Sequence, residues 1–81
     1  MYTVYVVIKK GIIDFAQPIV PTRVHHCLTI EDAYKKKEEE EDLFWEHAGR
    51  DNCSMFGCTM GRFFVTSYNT NEQILIEIVD K

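Results

Sequence analysis

The stretch LTIEDAYKKKEEEEDLFWEHAG, residues 28–49, decides the fold. Ile30 opens a segment without Gly or Pro that runs as far as Gly49. Thr29, followed three residues later by Asp32, resembles a helix-capping box with a shorter acid. Together these features predict one helix of about 19 residues, which is roughly 28 Å long.

The middle of this helix, KKKEEEED at Lys35–Asp42, contains no apolar residue, whereas both ends do. The apolar residues of the two ends can reach a common core; they are Ile30, Ala33 and Tyr34 at the start and Leu43, Phe44, Trp45 and Ala48 at the end. We therefore expect one of two arrangements: either the aliphatic stems of residues such as Lys37 and Glu41 cover the centre of the helix, or half of the helix projects into solvent. The charged middle also hides the periodicity that would identify the exposed face.

Extended segments flank the helix on both sides. Each is rich in β-branched and aromatic residues, and turn signals separate them: YTVYVVI at 2–8, TRVHHCL at 22–28, RFFVTSY at 62–68 and QILIEIV at 73–79. The first is apolar on both faces and suits a central strand. Pro18 and Pro21 predict a bent or edge segment between the first two strands.

The predicted fold is therefore α+β, in the order β-β-α-β-β: an antiparallel sheet of about four strands with one helix packed on one face. The last two strands form a hairpin, and residues 50–61 between helix and hairpin form a loop or a short strand. Eighty-one residues support one hydrophobic core, so we expect residues 1–81 to form a single compact domain.

Composition excludes several classes of function. The net charge of −4 argues against direct binding of nucleic acid, which needs clustered Lys and Arg. No apolar run is long enough to cross a bilayer, and the first residues lack the pattern of a signal peptide. We therefore expect a soluble cytoplasmic protein without a membrane partner, and with an odd number of cysteines kept reduced.

The stretches HHC and NCSMFGC raise the question of a metal site. Cys27 precedes the helix and Cys53 follows it, so the length of the helix separates them. His47, Cys53 and Cys58 are closer in sequence but supply only three zinc ligands, with Asp51 as a doubtful fourth. We predict no metal and no cofactor, and read the thiols as packing residues. A zinc-stabilised domain built on His47, Cys53 and Cys58 is the alternative.

We also predict a protein that is not an enzyme. No carboxylate pair stands at positions that suggest catalysis, and no Gly-rich phosphate loop or Ser-centred motif is present. Of the two histidines before Cys27, only His25 shares its strand face. No catalytic residue is therefore assigned.

The acids of the helix are either a solvated face or a recognition surface for a basic partner protein. Our leading hypothesis is the second, a small binding module that occupies a surface of another protein, with aromatic side chains as anchors. The predicted contacts are Glu38, Glu39, Glu40, Glu41, Asp42, Phe44 and Trp45. Reversing the charge of Glu39–Glu41 is then expected to weaken binding without unfolding the chain. A structural homodimer through the helix or a sheet edge is a further alternative.

In general character the chain resembles the small accessory proteins of phages and mobile elements, including anti-CRISPR inhibitors. The resemblance lies in a very short acidic chain with a strand-rich start, a helix entered through LTIEDAYKKKEEEE and a closing hairpin RFFVTSYNTNEQILIEIV. It covers architecture only. It implies an inhibitor that binds and blocks a protein of a host defence system in the host cytosol.

Overall fold

The computed structural model of the chain describes residues 1–11, 13, 18–49, 53–59, 62–68 and 70–80, with the side chains of 53–59 and 62–63 left aside. Its elements follow one another in the order β1, β2, α1, β3, β4, β5. Their bounds are Tyr2–Lys10, Arg23–Cys27, Ile30–Ala48, Cys53–Thr59, Arg62–Ser67 and Glu72–Asp80. The predicted α+β fold, with one helix after the second strand, is confirmed.

The strands form one antiparallel sheet in the order β2-β1-β5-β4-β3. The pairing of β1 with β5 runs through nine residues, from Tyr2 opposite Asp80 to Lys10 opposite Glu72. β1 is largely apolar on both faces, which suits an inner position of a sheet. The central position predicted for the first strand is therefore confirmed.

The sheet has five strands, one more than the approximate number predicted. The additional strand is β3, Cys53–Thr59, in the segment predicted as a loop or short strand. It pairs with β4, and their register shifts between Met55 and Gly57. A β-bulge of this kind tolerates an irregular pattern that alternation alone does not identify as a strand.

The main core lies between α1 and one face of the sheet. Alternate residues of β1 and β5 point to this face, and those of β4 and α1 complete it; the fully buried members are Val4, Val6, Ala33, Ala48, Val65, Ile74 and Ile76. The helix packs against β1, β2 and β5. Both ends of the helix share this core, because Ile30 and Trp45 pack against the same cluster.

A smaller apolar cluster lies on the opposite face of the sheet. Ile13, from the connection between β1 and β2, packs there with Val7 and Leu75. The buried Gln73 fixes this connection, since its Oε1 accepts the Ile13 amide at 2.6 Å and its Nε2 donates to Thr66 Oγ1 at 2.9 Å. Residues 18–21 have no regular secondary structure, in agreement with the bent segment predicted there; positions 12 and 14–17 of that segment lie outside the described residues.

In the described portion of the chain, no helix combines the length and apolar character needed to cross a membrane.

Candidate functional site: the outward face of the helix

Both ends of α1 are capped by groups of its own chain. Thr29 Oγ1 accepts the amide of Asp32 at 3.2 Å, as the capping pattern predicts. At the other end the amide of Gly49 donates to Trp45 O at 2.9 Å. Gly49 has φ of 81°, a left-handed conformation that Gly adopts without steric cost. The helix therefore begins and ends where the sequence places its signals.

One stripe of α1 faces the sheet, and it continues through the charged middle. Ala33, Phe44 and Ala48 are buried, and Glu40 is buried with them at only 4% exposure. The step of eleven residues from Ala33 to Phe44 spans about three helical turns, so the inward positions between them fall on charged residues. The inward face is thus partly made of carboxylate and ammonium side chains.

Glu40 is held by two side chains of β2. Arg23 Nε donates to Glu40 Oε2 at 2.7 Å, and His25 Nε2 lies 3.7 Å from the same oxygen. The side chain of Glu40 is 5% exposed, whereas that of Arg23 is 42% exposed. His25 Nε2 is itself buried and makes no hydrogen bond within the described residues. Glu40 therefore ties the helix to the edge strand, and a charged partner compensates its removal from water.

Lys37 and Glu41 cover the centre of the helix. They form an ion pair one turn apart, and their side chains are only 14% and 19% exposed. Apolar residues of both ends reach one core, so the first of the two expected arrangements is confirmed: charged side chains cover the centre and no half of the helix projects into solvent. Tyr34 and Leu43 were also expected in this core, but they are 41% and 54% exposed.

The opposite face of α1 is acidic and exposed. Its exposed carboxylates are Glu31, Glu38, Glu39, Asp42 and Glu46, with Lys35 among them. Tyr34 lies beside this stripe, three residues after Glu31 and four before Glu38, and is 41% exposed. Trp45 is partly buried and meets Phe44 edge to face at a ring distance of 6.5 Å. We call the exposed stripe of Glu31, Lys35, Glu38, Glu39, Asp42 and Glu46 the outward face.

The structure separates the seven predicted contact residues. Glu38, Glu39 and Asp42 lie on the outward face, whereas Glu40 and Phe44 point to the sheet. Glu41 and Trp45 lie at the border between the two faces and are partly buried. The role of these residues in binding stays a prediction, but only the exposed members are accessible to a partner protein in this conformation.

Sequence reasoning missed Glu31 and Glu46 as members of the outward face, and it placed Tyr34, which lies beside that face, in the core. The signal was available in the spacing of Ala33, Phe44 and Ala48, which fixes the inward direction once all three are taken as buried. The run of charges between them concealed this spacing.

Two polar contacts flank the outward face. Lys36 Nζ donates to Glu39 Oε2 at 3.1 Å, and this hydrogen bond raises the pKa of Lys36. His47 Nε2 lies 2.8 Å from Glu72 Oε1, which links the end of α1 to β5. Partial burial acts to raise the pKa of Glu72, but His47, Thr70 and Lys10 together outweigh it, so the pKa lies below its ordinary value.

The alternative metal site is only partly visible. His47 belongs to the contact with Glu72, while the side chains of Cys53 and Cys58 lie outside the described residues. Cys27 is buried with a free thiol. Among the side chains that the structure describes, no group of three His, Cys, Asp or Glu residues is arranged to hold a metal ion. The zinc alternative stays a prediction.

No family model, curated protein or solved structure matches the chain.

Proposed function

We propose that the protein is a non-enzymatic binding module that occupies a surface of a partner protein with the outward face of α1. The observation that carries the proposal is the division of charge on the helix. Lys37, Glu40 and Glu41 serve the fold, whereas the carboxylates of the outward face are exposed and project from one rigid element. A rigid face loses little conformational freedom on binding.

The partner that fits this face is a protein with a basic surface. Opposite charge steers association and raises its rate, but affinity comes mainly from a buried anchor. Tyr34 is the best placed anchor, because it is aromatic, 41% exposed and next to Glu31 and Glu38. We expect a partner with Lys or Arg residues around an apolar pocket.

The finer form of the proposal follows from the resemblance to small inhibitors of phages and mobile elements. In that form the partner is a protein of a host defence system, and the module blocks it in the host cytosol. The acidic face suits a target whose own surface is basic.

The test compares two variants that change the net charge equally. E38Q/E39Q/D42N neutralises three carboxylates of the outward face, whereas Y68K/D80K makes the same change at two exposed residues outside the helix. Each raises the net charge from −4 to −1. Tyr68 is 69% exposed and Asp80 is also exposed, so neither change disturbs the core.

The chain and both variants are crosslinked chemically in cells of the producing host, and captured proteins are quantified by mass spectrometry. The proposal expects a protein captured by the native chain and by Y68K/D80K but lost at least tenfold with E38Q/E39Q/D42N. Titration of that purified protein must then reproduce the difference. Equal capture by all three chains, or no specific capture, would contradict the proposal.

A further inference from the structure

A cleft opens on the face of the sheet that α1 does not cover. Residues 18–21, in the connection before β2, lie over this face beside β1 and β5. Two adjoining cavities of about 270 and 240 Å³ lie there. Val7 and Ile19 line both cavities, so the two form one cleft. Its size falls in the lower part of the range for small-molecule pockets, which is roughly 300–1,000 Å³.

The floor and the walls of the cleft are apolar. Val7 and Leu75 lie opposite each other in the pairing of β1 with β5 and are 8% and 2% exposed, so they form the floor. The walls come from the connection between β1 and β2, and their members are Ile13, Pro18, Ile19, Val20 and Pro21. Such a lining favours the hydrocarbon part of a ligand, because burial removes apolar surface from water on both sides.

Hydrogen bonds fix the chain on both sides of residues 18–21. Before them, the amide of Ile13 donates to Gln73 Oε1 at 2.6 Å. After them, Thr22 Oγ1 accepts the amide of Ile8 at 2.9 Å. The walls of the cleft are therefore held in place by the chain itself, as in ligand sites that are largely pre-formed.

The two ends of the cleft differ in charge. Lys9 follows Val7 on the same face of β1 and lines one end. Tyr5 and Glu77, which are paired across the two strands, line the other end. Within the described part of the chain the ammonium group of Lys9 has no carboxylate partner, whereas Glu77 already has a partner. The charge that this cleft can complement in a ligand is therefore negative.

We propose that the cleft binds a free carboxylic acid with an unbranched alkyl chain. The carboxylate pairs with Lys9, and the alkyl chain lies over Val7 and Leu75 with its end toward Tyr5. Four residues separate Lys9 from Tyr5, or about 13 Å along an extended strand, which a chain of medium length spans. The cleft lies on the face opposite α1, so this site does not depend on the proposed function of the outward face.

Titration with decanoate, decylamine and decanol tests the class of ligand. Heteronuclear NMR near pH 7 follows the native chain at ligand concentrations of about 10 μM to 1 mM, where weak ligands bind. We expect decanoate to shift the amide signals of Val7, Ile19 and Leu75 and to leave those of the outward face unchanged. It should bind at least threefold more tightly than the amine or the alcohol, because only the acid pairs with Lys9. Absence of binding, signal changes confined to other residues, or tighter binding of decylamine would overturn the proposal.

The role of Lys9 is tested by K9Q, with K10Q as the matched control. Lys9 and Lys10 are both exposed, but as neighbours on a strand they point to opposite faces of the sheet. We expect K9Q to weaken decanoate binding about three- to fivefold, as the loss of an exposed ion pair does, and K10Q to leave it unchanged. Equal affinities of K9Q and the native chain, or equal weakening by both variants, would contradict the pairing of the carboxylate with Lys9.

The apolar wall is tested by I19S, with L28S as its control. Ile19 is 38% exposed and Leu28 is 78% exposed, so truncating either spares the main core. Leu28 does not line this cleft. We expect I19S to bind decanoate about tenfold more weakly, because it removes apolar surface that the alkyl chain covers, and L28S to bind like the native chain. An I19S chain with native affinity would show that the ligand does not lie under residues 18–21.

Discussion

Glu40 is the most informative residue of the chain, because Glu38 and Glu39 before it are exposed while its own side chain is 5% exposed. Its partner Arg23 is 42% exposed and can regain water if the pair is broken. The carboxylate of Glu40 cannot regain water in the same way. Removing Arg23 and removing Glu40 therefore have different costs in stability, which depend on which charge is left buried.

We expect R23A to lower the free energy of unfolding by about 2–4 kcal/mol, because it leaves the Glu40 carboxylate buried without its hydrogen-bonded guanidinium, with His25 Nε2 still 3.7 Å away. E40Q should cost less, about 1–2 kcal/mol, since Arg23 can turn to solvent. Urea unfolding at pH 7 measures both, with E38Q as an exposed control that should change little. If E40Q costs more than R23A, the buried carboxylate is not the group that requires compensation.

The ionisation of Glu72 makes the free energy of unfolding depend on pH. Its pKa lies below the ordinary 4.5 in the folded chain, so the folded state binds this proton less tightly than the unfolded state. The stabilisation is therefore present above pH 4.5 and is lost as the pH falls through the lowered pKa.

We expect E72Q to be less stable than the native chain near pH 6, by about 0.5 kcal/mol because the pair is partly exposed. The difference should shrink as the pH falls below 4.5. Urea midpoints measured from pH 6 down to acid check this. A difference that grows in acid would mean that the contact with His47 does not stabilise the ionised carboxylate.

At the scale of the element, the ends of α1 were predictable and its faces were not. The bounds Ile30–Ala48 follow from Thr29 and Gly49, since caps act locally and are readable in a short window of sequence. Which charges point inward depends on β2 and on the core, and neither is visible in the helix itself.

The cap should be measurable. T29A removes the hydroxyl that accepts the Asp32 amide, so we expect a loss of about 1 kcal/mol in the free energy of unfolding. T29S keeps the acceptor and should lose much less. Thermal and urea unfolding compare the two variants with the native chain. A T29A chain as stable as the native one would show that the cap contributes nothing.

The two faces of α1 predict opposite results for two sets of substitutions. E38Q/E39Q/D42N should change the free energy of unfolding by less than about 0.5 kcal/mol, as exposed substitutions do. E39K/E40K/E41K should destabilise the fold strongly, because Glu40 is buried against Arg23 and Glu41 pairs with Lys37. The burial of Glu40 against Arg23 therefore argues against the expectation that this reversal leaves the fold intact.

Unfolding curves of these two triple variants are the check. Similar stability of the two would contradict the division of α1 into an inward and an outward face.

At the scale of the whole molecule, the sequence predicted the class of fold but not the order of the strands. Alternation and turn signals identify strands, yet the pairing of β1 with β5 joins residues almost the length of the chain apart. The fifth strand, β3, was not predicted as a definite strand because it contains Gly57 and a register shift. The acidic contact surface was predicted as a run of neighbours, whereas the fold selects one face of that run.

The central claim is that the outward face of α1 binds a partner protein, and site-specific photocrosslinking tests it most directly. A photoreactive phenylalanine derivative replaces Tyr34 in one chain and Tyr68 in another, and both are irradiated in cells of the producing host. Both sites are exposed, at 41% and 69%, but only Tyr34 lies on α1. We predict that the probe at position 34 captures a distinct protein and that the probe at position 68 does not. Capture at position 68 alone, or at neither position, would contradict the claim.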